Sequence, residues 1–181
     1  YHLTTSKITM KQAFDDARVA NSLWKAITSP GQDVTGVCDH IGTPVIVKPA
    51  VSGGSMGLGL KNVVNNDDEL RKVIDELYKG YHGWDFTFGG LVAEKFIAGP
   101  EFTTFVTGSY DQPDDIQVYQ PVERVFNEKL PENEKFLSFD RLWDTYENEK
   151  PVGEHEYENL WEYFKPDAQL DHAIKQLSID A

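Results

Sequence analysis

Pro44-Val45-Ile46-Val47-Lys48-Pro49 runs directly into Ala50-Val51-Ser52-Gly53-Gly54-Ser55-Met56-Gly57-Leu58-Gly59. The first part is short, β-branched and apolar at successive positions, which predicts a strand buried on both faces. The second part is rich in glycine, so its backbone can turn sharply and approach another group with no Cβ in the way. Leu58 to Val64 then reads as a returning strand. Strand, glycine turn and strand together predict a hairpin with a mobile tip.

Outward from this unit the periodicity changes. Upstream, Thr4-Thr5-Ser6 offers N-cap hydroxyls, and helical spacing predicts a helix over about 6–21. Residues 28–43 are rich in Gly, Ser, Thr and Asp and read as loop or short irregular structure. Downstream, Asn66-Asp67-Asp68 caps a helix predicted over 67–80, with Leu70, Val73, Ile74, Leu77 and Tyr78 on one face. Leu91 to Ile97 is the next strand. Gly99-Pro100 breaks it, and residues 101–109 resume with period-two alternation. Asp111 to Asp115 reads as a turn, with 116–122 pairing back. Residues 123–165 are acidic and aromatic, an ordered insert in which Phe126, Phe136, Phe139, Trp143, Tyr146, Trp161 and Phe164 must find packing. Pro166-Asp167 opens a helix that runs to residue 181, so the chain is expected to continue past that point.

With 40% apolar and 26% charged residues in 181, a packed core is expected and global disorder is not. The formal net charge of -13 comes from 30 acids against 17 bases, with no basic stripe, so no nucleic-acid partner is expected. The acid excess reads as a solvated, repulsive surface. Cys38 is the only cysteine, which excludes an internal disulfide and fits a reducing, cytoplasmic setting. No apolar run approaches the ~20 residues that span a bilayer. The first residues lack the basic-then-apolar order of a secretion signal.

Binding a nucleotide triphosphate requires cations and N–H donors for the phosphates, an apolar slot with hydrogen-bonding edges for the base, and an acceptor for the ribose. Lys48 ends a buried strand just before the glycine turn and points at whatever the turn covers. Glycines 53, 54, 57 and 59 and the Ser55 hydroxyl suit an anion. The loop is not a Walker A loop, because the Gly-Lys-Ser/Thr ending is absent. Glu94-Lys95-Phe96-Ile97 can present backbone edges and a ring to a base, and Glu101 follows within reach of a ribose. Each piece alone is commonplace: glycine turns are usually plain hairpins, and strand-edge acids are usually surface residues.

The pieces in sequence are more telling. Pro44 to Pro49, the loop ending Gly54-Ser55-Met56-Gly57, and Leu91-Val92-Ala93-Glu94-Lys95-Phe96-Ile97-Ala98-Gly99-Pro100-Glu101-Phe102-Thr103 resemble consecutive motifs of the ATP-grasp superfamily. They are most similar to its D-alanine–D-alanine ligase branch, and Lys7-Ile8-Thr9-Met10-Lys11 resembles the helix that opens the same unit. The likeness covers about residues 5–110. It implies an α+β, partial ATP-grasp fold of antiparallel sheets with flanking helices. Residues 1–92 would be the lid subdomain, and 93–181 a partial second subdomain with the adenine hinge and the acidic insert.

The resemblance also implies roles. Lys7 and Lys48 would hold ATP phosphates under a lid of Gly53, Gly54 and Ser55. Glu94 and Ile97 would bond the adenine edge, largely through backbone, with Lys95 and Phe96 beside the ring. Glu101 would take the ribose hydroxyls. Lys48, Glu94 and Glu101 would then line one cleft roofed by 52–57. Family members use ATP and magnesium to activate a carboxylate as an acyl phosphate, which an amine attacks. Small carboxylate and amine substrates are therefore expected, with a homodimer left open. The family's magnesium ligands would lie beyond residue 181, so this stretch by itself is expected to show little turnover. A non-catalytic nucleotide-binding module, or an ATP-grasp enzyme with another substrate class, is the alternative.

Two departures stand out. Val51-Ser52 are neutral where the family loop often carries charge. Phe136-Leu137-Ser138-Phe139-Asp140-Arg141-Leu142-Trp143 is similar to a family segment ending in aromatic–x–x–Lys–Trp, but the lysine falls on Leu142. Arg141 is the candidate substitute, and loss of that phosphate contact is the alternative. Other signals are weaker. His155-Glu156-Tyr157-Glu158-Asn159 is no zinc helix, because its fifth position is Asn. Cys38-Asp39-His40 as a metal pair is usually accidental. Trp24 reads as core, and Trp143 and Trp161 as anchors of the insert. No nucleophile–base set is evident.

Overall fold

A computed structural model describes residues 2–80, 83–109, 111–151 and 160–180. By contacts the chain forms two units, Tyr1–Ala98 with Asn133–Pro151, and Gly99–Glu132 with Val152–Ala181. The division falls after Ala98 rather than residue 92, because the strand beginning at Leu91 lies inside the first unit's sheet. Part of the acidic insert also returns to the first unit.

The first unit opens with α1 (His2–Thr5) and α2 (Lys7–Ala17). Helix α2 stops short of the expected residue 21, where Arg18 turns left-handed (φ 59°) and its N–H bonds back to Asp15 and Phe14. Ser6 holds the N-cap position without a side-chain cap bond. Then come β1 (Trp24–Ile27), α3 (Val37–Ile41), β2 (Val45–Pro49), β3 (Val63–Val64), α4 (Asp67–Leu77) and β4 (Leu91–Lys95). The strands form one antiparallel sheet in the order β1-β4-β2-β3.

Alternation sorts this sheet into two faces. Ile27, Val45, Val47, Leu91 and Ala93 face α3 and α4, meeting Val37, Ile41, Leu70, Val73, Ile74 and Leu77 in the main core. Burying each large aliphatic contributes about 1.5–3 kcal/mol. The opposite face carries Ile46 and Phe96, packed with Phe136. Helix α4 forms as expected: Asn66 Oδ1 accepts from Glu69 N at 2.9 Å, and its apolar face is buried. The expected loop over 28–43 hides α3, whose first turn is capped from afar. Asp67 accepts from Gly36 N at 2.6 Å and Cys38 N at 2.9 Å.

The expected hairpin is only partly formed. After β2 the chain makes successive turns and a 3-10 helix, Leu60–Asn62, so the returning strand is two residues long. Register pairs Val45 with Val64 and Ile46 with Val63. Where the next pair would fall, the Asn62 carboxamide donates to Val47 O at 2.8 Å instead.

Among its described residues the second unit consists of antiparallel strand pairs and a C-terminal helix. The alternating run at 101–109 splits into β5 (Glu101–Thr103) and β6 (Val106–Ser109), which enter different sheets. Strand β6 pairs with β7 (Gln112–Val118), so pairing begins inside the expected turn. Strand β5 pairs with β8 (Val122–Phe126), and β8 with β9 (Trp161–Phe164). The last helix, here α6 after the insert's α5 (Phe139–Trp143), spans Ala168–Asp180. Asp167 Oδ1 caps it, accepting from Gln169 N at 3.0 Å and Leu170 N at 2.9 Å. Residues 155–159 lie outside the described residues.

Candidate functional site

Lys7 and Lys11 stand four residues apart on α2 and so share one helix face. Lys48 on β2 and Glu94 on β4 project from the sheet face opposite α4, because their neighbours Val47, Pro49, Ala93 and Leu91 turn the other way into buried positions. The four side chains converge. Lys48 Nζ lies 2.6 Å from Glu94 Oε1, and Lys11 Nζ lies 2.5 Å from Glu94 Oε2. Ser22 Oγ donates to the same Oε2 at 3.1 Å. Lys7 Nζ donates to Pro49 O at 3.0 Å, and to Ser52 O and Ser52 Oγ at 3.2 Å each, where the glycine stretch begins. Its backbone N–H bonds Ala50 O at 2.9 Å, which ties the start of α2 to the same corner.

Three ammonium groups face one carboxylate, a local excess of two positive charges in a chain whose net charge is -13. The electrostatics follow from this crowding. Burial lowers the Lys7 pKa and the neighbouring Lys48 charge lowers it further, with Glu94 opposing. Burial would raise the Glu94 pKa, but the Lys48 and Lys11 charges and their hydrogen bonds outweigh it and hold the carboxyl below its ordinary value. Such a cluster can attract an anion.

The glycine stretch is anchored at several points by the insert. Trp143 Nε1 donates to Gly54 O at 2.8 Å, and Ser55 Oγ donates to Leu137 O at 2.8 Å. Phe139 N donates to Leu58 O at 2.7 Å, and Leu60 N to Glu149 Oε1 at 3.1 Å. Gly54 is left-handed at φ 56°, and a Cβ there would come within 3.1 Å of the Trp143 ring. Trp143 is thus an anchor of the insert, as its sequence suggested, although its ring is 58% exposed. Trp24 is half-buried and donates to Asp15 Oδ2 at 2.8 Å.

The remaining expected site residues distribute as follows. Glu94 pairs with Trp24 on one side and Ile46 on the other, so its backbone is part of the central ladder. Its carboxylate, not its main chain, is what the cluster presents. Lys95 turns to the other face, where Nζ donates to Thr43 O. Phe96 is buried against Phe136, edge to face at 5.9 Å, while Ile97 is 69% exposed. Glu101 belongs to the second unit, opposite Arg124 in the β5–β8 register, and its carboxylate is ion-paired with the Arg124 guanidinium. Arg124 also stacks on Trp161 and Tyr163, its carbon 5.8 and 5.5 Å from the ring centres.

Arg141 does not substitute for the lysine replaced by Leu142. It is buried, with Nη2 3.1 Å from Glu134 Oε2 and Nε 3.3 Å from Glu149 Oε2, so its charge is spent inside the insert. Cys38, Asp39 and His40 occupy successive positions of α3 and diverge by the helical rotation. Among the described residues no three His, Cys, Asp or Glu groups are placed to share a metal ion. No described helix is long and apolar enough to cross a membrane. Sequence reasoning missed Lys11 and Ser22 as members of the cluster. The four-residue spacing from Lys7 was the available signal for the first.

The family described as D-ala D-ala ligase C-terminus matches residues 17–150. The D-alanine–D-alanine ligase of Desulfotalea psychrophila is 33% identical over 91 residues, 50% of this chain and 24% of that protein. The Borrelia duttonii ligase of the same name is 33% identical over 102 residues, 56% of this chain and 23% of that protein. Among solved structures, D-alanine–D-alanine ligase from Bacillus anthracis superposes with a TM-score of 0.62 at 18% identity, over 98% of this chain and 47% of that one. VanG D-Ala:D-Ser ligase from Enterococcus faecalis gives 0.61 at 16% identity, over 98% of this chain and 44% of that one. The chain thus spans under half the length of these solved ligases, and at such identities they speak for the fold, a partial α+β ATP-grasp fold. A family match across most of its residues settles the rest: the chain belongs to the D-alanine–D-alanine ligase C-terminus family.

Proposed function

We propose that this chain is the ATP-binding portion of an ATP-dependent carboxylate–amine ligase, similar in chemistry to the D-alanine–D-alanine ligases. The observation that carries this reading is the Lys7–Lys11–Lys48–Glu94 cluster beside the glycine stretch. A polyphosphate fits the donor set, because the cluster has excess positive charge, Lys48 Nζ has N–H capacity beyond its bond to Glu94, and Lys7 Nζ, now held by Pro49 and Ser52, can exchange those neutral acceptors for a charged phosphate oxygen. Each charge-assisted bond to phosphate would contribute roughly 1.5–3 kcal/mol. ATP with magnesium would supply the phosphoryl group that activates a small carboxylate as an acyl phosphate for attack by an amine. This chain's residues neutralise phosphate charge, and the Gly53–Ser55 turn shields the site from water. Ile97, Lys95 and Phe96 stay proposed neighbours of the adenine, and Glu101 the proposed acceptor for the ribose hydroxyls. A cytoplasmic protein suits this chemistry.

The test is nucleotide titration of the purified chain and its variants. Lys48→Ala should weaken ATP binding at least about tenfold. Lys61→Ala should leave it unchanged, because Lys61 is 61% exposed and paired with Glu76 at 2.5 Å. Equal affinities for the two variants would remove the site. A second reading, a nucleotide-binding module without turnover, draws on one observation. Leu142 stands where the family lysine would be, and Arg141 is occupied by Glu134 and Glu149. Ligase turnover by a longer protein carrying Leu142 would decide against it.

A further inference from the structure

Lys11 is the one ammonium of the cluster to which the preceding reading gives no task. It is 8% exposed, which is rare for a lysine. An ammonium has three N–H donors, and here they have three acceptors: Asn21 Oδ1 at 3.1 Å, Ser22 Oγ at 2.8 Å, and Glu94 Oε2 at 2.5 Å. Two of these would suffice to tie α2 to the segment before β1. The third reaches the oxygen of Glu94 that Lys48 does not hold.

The consequence is electrostatic. A buried carboxylate alone with Lys48 would cancel its charge and leave a neutral pair next to the glycine stretch. Adding Lys11 makes the triad positive and fixes both carboxylate oxygens, so Glu94 cannot rotate to capture Lys48 with both. The charged groups facing Glu94 are Lys7 and Lys11 from α2 and Lys48 from β2, with the uncharged Ser22 hydroxyl beside them. We infer that Lys11 is a positioning residue: it acts on the phosphates through Glu94, offsetting that carboxylate's charge and holding its second oxygen so that Lys48 remains a net cationic contact. The inference rests on the phosphate reading of the cluster, but part of its test is free of nucleotide.

Lys11→Met, Lys11→Gln and Lys11→Arg would be made in the 181-residue chain, with thermal melts to confirm folding. Carboxyl-carbon NMR would follow the titration of Glu94 without ligand. In the wild type the carboxyl should titrate below the ordinary glutamate range. It should move upward in the Met and Gln variants and return in Arg. With nucleotide, Lys11→Met should weaken ATP about tenfold and AMP less than about twofold, because a charge effect grows with the number of phosphates. If Met is unstable, Gln and Arg carry the same comparison. An unmoved Glu94 titration, or equal losses for ATP and AMP, would overturn the inference. A wild-type chain whose Glu94 titrates as expected but which binds no ATP would instead remove the phosphate reading.

Discussion

Asn62 is fully buried, and its carboxamide completes a sheet that the backbone leaves unfinished. Nδ2 donates to Val47 O and to Gly57 O, both at 2.8 Å, while Oδ1 accepts from Gly59 N at 3.0 Å. Asn62→Ala removes three hydrogen bonds. At a net of about 1 kcal/mol each, with an extra penalty for the buried Val47 carbonyl left without a partner, the loss should be about 3–4 kcal/mol. Asn62→Asp should be worse at neutral pH. It keeps the acceptor for Gly59 but turns a charged oxygen toward two carbonyl oxygens. Acidification should restore part of the loss, since a protonated carboxyl can donate to one of them. Urea unfolding of the three proteins at pH 7 and pH 4.5, with slopes compared, would measure this. A loss below about 1 kcal/mol for Ala, or an Asp variant as stable as the wild type, would refute the idea that this amide joins the glycine stretch to the sheet.

Gly57→Ala should destabilise by about 2 kcal/mol or more by the same assay, combining backbone strain with overpacking. Its φ is +76°, and the added Cβ would lie 2.7 Å from Pro49 Cγ and 3.2 Å from Phe86. Cys38 is buried and close to Asp67, which pushes its thiol from 9.0 up to about 12. A thiol reagent at pH 8 should therefore modify it only as the protein unfolds. The sign of the linkage is also fixed: the unfolded thiol ionises first, so stability should fall as pH rises from about 9 toward about 12. Burial would raise the Asp140 pKa, but bonds from Asn148 N, Thr145 Oγ1 and Glu149 N outweigh it and lower the value. Its contribution should be present above the ordinary aspartate pKa and vanish as pH drops through the folded value, and Asp140→Asn should flatten that acid limb.

The elements legible in the sequence are those whose signal is local. Helix α4 carries its own cap at Asn66 and its own apolar face, and β2 is a continuous β-branched run. Helix α3 was not legible, since five residues in a polar stretch form no amphipathic pattern and the cap comes from Asp67 across the core. Strand β1, Trp-Lys-Ala-Ile, is too short and too poor in β-branched residues to stand out. Residues 58–64 look like a strand, but a side chain takes the hydrogen bond that strand pairing would have made. The site follows the same rule. Lys7, Lys48 and Glu94 sit in motifs with a recognisable order, whereas Lys11 gains its meaning only where α2 crosses β4.

The acidic insert is where composition misleads most. Its charge reads as solvated surface, yet Asp140 is 3% exposed and the Glu149 side chain 5%. Asp140 closes the turn that follows α5 by accepting from Thr145, Asn148 and Glu149. Glu149 then bonds Ser138 Oγ at 2.6 Å and Leu60 N at 3.1 Å, with Arg141 Nε 3.3 Å away, and so ties that turn to the glycine stretch. A glycine-rich segment by itself has high conformational entropy and few contacts, which is why it reads as mobile. Here four hydrogen bonds with residues 137–149 oppose that entropy at roughly 1 kcal/mol net each, and all four partners lie far along the chain from residue 55. Substitutions at Trp143 or Glu149 should therefore loosen the glycine stretch while leaving the Lys11–Glu94–Lys48 contacts in place, because among the described residues those side chains share no partner with the insert.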